Sequence, residues 1–373
     1  MAKAIGILNL HYAGELGLLT STRGIASTSV LGRFAFMDFP LSNFVNSGID
    51  RNAILVKKHL RSIIQHVGEN HIFTLNSKLG GLSLLYDEPF ATNSIYNHDI
   101  NNLIENHWFL DSIPDDIDVV VIAPAHIIYK YDFRPLIEEH VKNQNKISVL
   151  YHRTHHAKST FIGEDVIHFD INHNLTKLTP NLGVEDEENI FLQTLILDKE
   201  VLRGFIQLGK KTSSLYNLRD VLLMVSRQIP VHCYNYNGTV RCFDSLKHYL
   251  EYSIEFIKSP SLQEEFFNSN WPIYTKSYDT PPAKFGPHSK IQTSYVANGS
   301  QIDGTVINSI ISRDVVIKAG AVIKNSVILS NSYISESTHL ENVVCDKQAR
   351  VIHVKSIIGT EDNVEFIKRG DIA

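Results

Sequence analysis

The sequence predicts two architectures in series, a mainly parallel α/β domain followed by a parallel β-helix. Three observations lead there. At 373 residues the chain is too long for one typical core. Between residues 4 and 260, short apolar runs alternate with helical patterns, the signature of a sheet covered by helices. From about Gly286 a six-residue aliphatic period takes over, which suits neither a helix nor a hairpin and fits stacked β-helix coils.

In chain order, the apolar runs Ala4–Leu8, Ala53–Val56, Val119–Ala123 and Ile147–Tyr151 read as central strands. The run Val119-Val120-Val121-Ile122-Ala123 has no polar alternation, as expected for a strand buried on both faces. Helices are expected near Leu41–Ser47, His59–Val67, Asn101–Leu110, Phe133–Asn143 and Leu246–Ile257. Ser77–Asn97, rich in Gly, Ser and Asn, reads as a long loop. The boundaries predicted are 1–257 for the α/β domain, 258–285 for a connector with paired prolines, and 286–373 for the β-helix. In the last, Ile310, Val316, Val322, Ile328, Ile334 and Leu340 recur every six residues, with Ile311, Ile317, Ile323 and Leu329 one place later. Val296 and Ile302 are out of phase by two, so an insertion or bulge is expected near Asp303–Thr305.

Composition excludes several classes. Net charge is −5 and 20% of residues are charged, which gives no general reason to bind nucleic acid or an anionic membrane. No stretch approaches the roughly 18 apolar residues of a membrane span, and the first residues lead into a strand rather than a secretory leader. A cytoplasmic location is therefore expected. The three cysteines, at 233, 242 and 345, form neither a disulfide framework nor a CxxC zinc pattern. The histidine group His152, His155 and His156 reads as solvated surface rather than a metal site.

Three blocks then carry a resemblance: DFPLSN with NSGI across 38–49, WPIYT with PPAKF across 271–285, and the hexapeptide run containing IKNSVIL at 323–329. CDKQARV at 345–351 adds to them. In this order and spacing they resemble ADP-glucose pyrophosphorylase, the glucose-1-phosphate adenylyltransferase of glycogen synthesis. The resemblance implies a Rossmann-like nucleotidyltransferase domain and a left-handed parallel β-helix. It also implies a reaction of ATP with glucose 1-phosphate giving ADP-glucose and pyrophosphate, and tetramers under metabolite control.

The chemistry of that family requires a glycine-rich turn to cradle phosphates and carboxylates to hold magnesium. Its glycine loop falls on Asn9 to Leu16, where Leu10, His11 and Ala13 replace glycines and Glu15 replaces an arginine. The next element keeps Arg23 but has Ile25 where a lysine is needed. The family's two metal aspartates fall on Ala125 and Cys242, with Asp244 two residues beyond the second. Its GTADA segment falls on His98 to Asn102 with nothing kept, its sugar-phosphate lysine on Thr179, and its sugar-pocket segment on Phe191-Leu192-Gln193. Scaffold blocks persist while the catalytic positions differ, so the chain resembles the regulatory, GlgD-type subunits. That resemblance implies no cofactor in this chain, magnesium in a catalytic partner, and a hetero-oligomer, a heterotetramer by analogy. An active sugar-phosphate nucleotidyltransferase and a β-helix acyltransferase using His288, His339 or His353 are the alternatives. Candidate contacts for a phosphorylated effector are Arg23, Arg33, Lys57, Lys58, Arg61 and Arg350, helped by Lys347 and Lys355. The block 38–49 is expected to serve both fold and assembly surface.

Overall fold

The computed structural model describes residues 3–12, 14–68, 73, 81–86, 98–212 and 217–373. The chain divides into two compact units. The first comprises Met1–Ala13 and Phe39–Cys242, the second Gly14–Asp38 and Phe243–Ala373.

The first unit is built on a nine-stranded sheet. Its strands are β1 (Ala4–Asn9), β2 (Arg51–Leu55), β3 (Gly81–Leu85), β4 (Val119–Pro124), β6 (Ile147–Thr154), β7 (Asp165–Phe169), β8 (Leu175–Pro180), β9 (Glu188–Asp198) and β10 (Val231–Asn235). A separate two-stranded ladder joins β5 (Ile127–Tyr129) to β11 (Val240–Cys242). The four expected central strands are present as β1, β2, β4 and β6. β1 lies between β2 and β4, parallel to both, and β3 extends the parallel half. The other half is antiparallel around β9, which pairs β4 on one side and β6 on the other. The sheet is therefore mixed rather than mainly parallel. β9 alternates apolar and polar residues too weakly to announce its direction, and strand direction is set by its partners. β3 also corrects the long-loop reading of Ser77–Asn97, whose residues other than 81–86 lie outside the described ones.

Helix α1 (Asp38–Asn46) explains the DFPLSN block. Phe39, Leu41, Phe44 and Val45 are buried. Gly6 makes this packing possible, because a Cβ there would lie 2.6 Å from the Phe44 ring and 2.4 Å from Asn52 Oδ1. Asn43 donates to the Tyr129 carbonyl at 2.9 Å, and Ser47 Oγ accepts from the Phe133 amide at 2.9 Å. The block is thus interior structure, and burial removes it as an assembly surface. Helix α2 (Leu60–Val67) follows β2 as expected. The helix expected at Asn101–Leu110 is broken at Asn106 into α3 (Asp99–Glu105) and α4 (His107–Asp111). α5 (Phe133–Lys142) is capped by Asp132, whose side chain accepts from the Arg134 amide. α6 (Lys199–Lys211) and α7 (Leu218–Val225) complete the cover of the sheet.

In the second unit, α8 (Leu246–Lys258) precedes α9 (Pro260–Phe266), so the connector begins with a helix that its prolines seemed to exclude. Pro260 is at the first turn, where no amide hydrogen is needed, and Ser259 caps it. The β-helix has three sheets of five parallel strands. Ile302, Ile317, Ile334 and Val351 stack in one sheet. Val306, Ile323, Leu340 and Ile357 stack in the second, and Ile311, Ile328, Cys345 and Ile367 in the third.

Most successive coils are 17 residues apart, as in Ile317 to Ile334 to Val351. Inward positions are therefore spaced six, six and five, and a strict period of six loses phase once per coil. This is why Val316 and Val322 are only half-buried whereas Ile328, Ile334 and Leu340 point inward. The phase shift near Asp303–Thr305 is a shortening, not an insertion: Ile302 pairs Ile317 only 15 residues on. Gly304 permits the tight corner, since a Cβ there would sit 2.5 Å from the Ala321 carbonyl. Ile323 has no solvent exposure in this ladder. Ile323→Ala is expected to cost about 2–5 kcal/mol, read as a lower urea midpoint at unchanged slope.

Among the described residues, no helix is long and apolar enough to cross a membrane.

Candidate functional site

In open α/β sheets, ligands bind beyond the carboxyl ends of parallel strands where strand order reverses. Here that point is β1 beside β4, since the chain proceeds from β1 to β2 on one side and reaches β4 on the other. Leu10, His11 and Tyr12 leave β1 there, and Ala125 and His126 leave β4.

The turn after β1 is closed by its own residues. The Leu10 amide donates to the Leu55 carbonyl at 3.1 Å, and the His11 amide to Asn9 Oδ1 at 3.0 Å. The His11 ring is buried, and Asn102 donates to its Nε2 at 3.3 Å and to the Val56 carbonyl at 2.9 Å. Lys57 donates to the His11 carbonyl at 3.0 Å, so this candidate cation helps hold the turn. The amides of Leu10 and His11 are thus already engaged within the protein.

Asp99 completes the closure. Its carboxylate accepts from the amides of Ile100 and Leu218, both at 2.8 Å, at the starts of α3 and α7. Its other oxygen accepts from Asn9 Nδ2 at 2.9 Å. Burial pushes the Asp99 carboxyl above the usual carboxylate range, against the pull of these hydrogen bonds. Burial, then the Asp99 charge, pushes the Tyr12 phenol far above its ordinary value. Arg219 is committed to Asp165 through two bonds of 2.5 and 2.8 Å. The crevice bounded by Asn9, Tyr12, Pro124, Phe191, Gln193 and Arg219 holds only about 30 Å³. Ligand pockets generally run to about 300–1,000 Å³. Phe191 and Gln193 stand in this crevice.

Ala125 and Cys242, where the resemblance expects the family's metal aspartates, lie near each other. β11 pairs β5 with Cys242 opposite Ile127, which sets Cys242 beside the β4–β5 turn that carries Ala125 and His126. Ala125 and Cys242 have no exposure. What the turn presents instead is His126, whose Nε2 lies 3.0 Å from Glu164 Oε1, with Cys242 Sγ at 3.6 Å from the same oxygen. Gln193 donates to the second Glu164 oxygen at 2.7 Å. Burial pushes the Glu164 carboxyl up, but the His126 charge and the hydrogen bonds from His126, Gln193 and Cys242 hold it below its usual range. Imidazole, one carboxylate and a thiol are not the all-oxygen set that magnesium takes. This cluster escaped sequence reading because its members are 38 and 78 residues apart. The one available signal was His126 beside Ala125, at a position already tied to Cys242.

The remaining candidates separate. Thr179 bonds His168 at 2.8 Å on an exposed strand face. Ala13 lies outside the described residues. Lys58 and Arg61 are exposed near the start of α2, in the first unit. Glu15 is exposed and Ile25 buried, both in the second unit. There Asp244 pairs with His248 at 2.5 Å. Arg33 is exposed and Arg350 stacks on Tyr333 at 5.3 Å. Arg23 is buried in a salt bridge to Asp346, and its Nε has no hydrogen-bond partner among the described residues. Lys347 follows Asp346, and its ammonium is pushed down to about 8 by burial and then by the Arg23, Arg369 and Arg313 charges. Of the histidine group, His155 pairs with Glu187 at the surface, whereas His152 is half-buried and bonds the Tyr236 carbonyl.

Residues 18–179 match the nucleotidyl transferase family, and residues 281–369 match the GlmU-like C-terminal hexapeptide family. Fold and matches define the class: a nucleotidyl-transferase-like α/β chain ending in a hexapeptide β-helix. Within that class the chain resembles GlgD proteins along nearly its whole length. It is 27% identical over 363 residues to the glycogen biosynthesis protein GlgD of Bacillus subtilis, covering 96% of this chain and 93% of that one. The GlgD of Geobacillus stearothermophilus is 28% identical over 86% of this chain and 82% of its own length. The glucose-1-phosphate adenylyltransferase of Lachnospira eligens is 26% identical, over 82% of this chain and 71% of its own.

Proposed function

We propose that this chain is a regulatory subunit of glucose-1-phosphate adenylyltransferase in glycogen biosynthesis, silent alone and acting on a catalytic homologue. One observation carries the reading. The site where ATP phosphates would lie is filled and hydrogen-bonded from within, by His11, Asn102 and the Asp99 carboxylate across two helix starts. An anion's place at those helix starts is taken by the protein's own carboxylate. Adenylyl transfer needs donors and metal charge aimed at the reacting phosphates, and each missing donor costs about 3–4 kcal/mol of transition-state stabilisation. Ala125 and Cys242 supply no magnesium ligand of the usual kind.

A silent chain exerts control only through contact, so the reading includes a hetero-oligomer, a heterotetramer by family analogy, with magnesium bound in the catalytic partner. It also places the pair in the cytoplasm. A phosphorylated metabolite is proposed to act at Lys347, whose half-buried ammonium lies beside the Arg23–Asp346 pair. Coupling would pass as differential binding between two states of the assembly.

The test is ADP-glucose synthesis by this chain, by the catalytic homologue, and by their mixture, with the mass of the mixture measured alongside. We expect no synthesis by this chain, and in the mixture a hetero-oligomer whose rate or effector response differs from the homologue's. Substantial synthesis by this chain alone would refute the proposal, as would a mixture indistinguishable from the homologue.

A further inference from the structure

We propose that His126, Glu164 and Cys242 form a buried site for a zinc-class divalent metal. The inference is independent of whether the chain is catalytically silent. Among the described residues, this is the one group of three such side chains whose ligand atoms, Nε2, a carboxylate oxygen and Sγ, all lie within 4.8 Å of one another. Zinc bonds of about 2.0–2.1 Å to nitrogen and oxygen and 2.3 Å to sulfur give tetrahedral edges of roughly 3.3–3.6 Å. The observed Nε2–Oε1 and Sγ–Oε1 separations are 3.0 and 3.6 Å. Mixed nitrogen, oxygen and sulfur donors select zinc or a similar borderline ion over magnesium or calcium.

Two further features mark a built site. Gln193 holds the second Glu164 oxygen, which leaves Oε1 directed at the other two donors. To reach it, Gln193 sits at a bulge in β9, where register shifts between Phe191 and Thr194, with φ of 52°. A glutamine in that conformation is strained. The other two donors also crowd onto a single atom: His126 Nε2 and Cys242 Sγ both converge on Glu164 Oε1. A metal would take Nε2, Oε1 and the thiolate, releasing both the thiol proton and the Nε2 proton that His126 gives Glu164, so that Nδ1 carries the one ring hydrogen, with water as fourth ligand. Asp165 and Gln193, next to Glu164 in sequence and in space, line the small crevice, which gives the ion a route in.

The test uses the full chain, stripped with a chelator and titrated with Co²⁺. We expect one equivalent to bind with thiolate-to-cobalt charge-transfer absorption in the near ultraviolet. Zn²⁺ should displace it and millimolar Mg²⁺ should not. Cys242→Ser should abolish the charge-transfer band, and Glu164→Gln should weaken binding at least tenfold. Cys233→Ser and Cys345→Ser should leave the band intact. A folded wild-type chain, checked by circular dichroism, that shows no such band overturns the proposal. So does a band that survives Cys242→Ser.

Discussion

Asp346→Ala is expected to destabilise the second unit by about 3–5 kcal/mol, because it strands a buried guanidinium. Arg23 and Asp346 are 4% and 2% exposed, and the pair joins Gly14–Asp38 to the β-helix across 323 residues of sequence. The same carboxylate accepts from the Lys347 amide at 2.6 Å, so alanine orphans that donor too. Asp346→Asn keeps an oxygen for the amide and should cost less, with the charge of Arg23 still uncompensated. Urea unfolding of the three proteins checks the order: wild type, then Asn, then Ala. Equal midpoints for wild type and Ala would show that Arg23 is solvated. The other tethers of this segment, the Tyr249 hydroxyl to the Ser29 carbonyl at 2.6 Å and Arg313 to the Arg33 carbonyl at 3.1 Å, are then expected to set what remains.

Ala125→Asp should produce no measurable ADP-glucose synthesis and should lower stability by several kcal/mol. It restores one metal carboxylate in name only. The position has no solvent exposure, so the new charge must be buried. The phosphate turn stays closed by His11, and Cys242 still stands at the second aspartate position. Turnover above background in this single variant would show that one substitution, rather than a rebuilt site, separates the chain from catalysis. A melting temperature equal to wild type would show that the turn opens to water.

The scaffold was legible because it depends on local pattern. The apolar run of β4, the strand opening at Ala4, and the aliphatic ladder from Ile302 onward each carry a period that backbone geometry imposes. Their partners were not legible. β9 is a strand by composition, but its antiparallel pairing with β4 and β6 depends on residues up to 79 positions away. The coil length of 17 shows only in the pairing of whole coils, since neighbouring inward positions are six or five residues apart.

The site divides along the same line. From the sequence alone came the expectation, carried by the resemblance, of replacements at Leu10, His11, Glu15, Ile25, Ala125 and Cys242, because residue type at a position is a local property. What surrounds those positions was settled only by tertiary structure. Asp99 becomes a bridge between two helix starts, Arg23 a buried partner of Asp346, and His126, Glu164 and Cys242 one cluster. Each assignment joins residues dozens to hundreds of positions apart. Burial is what gives them their energies, since a charge or an unpaired donor is costly only once folding has taken it out of water.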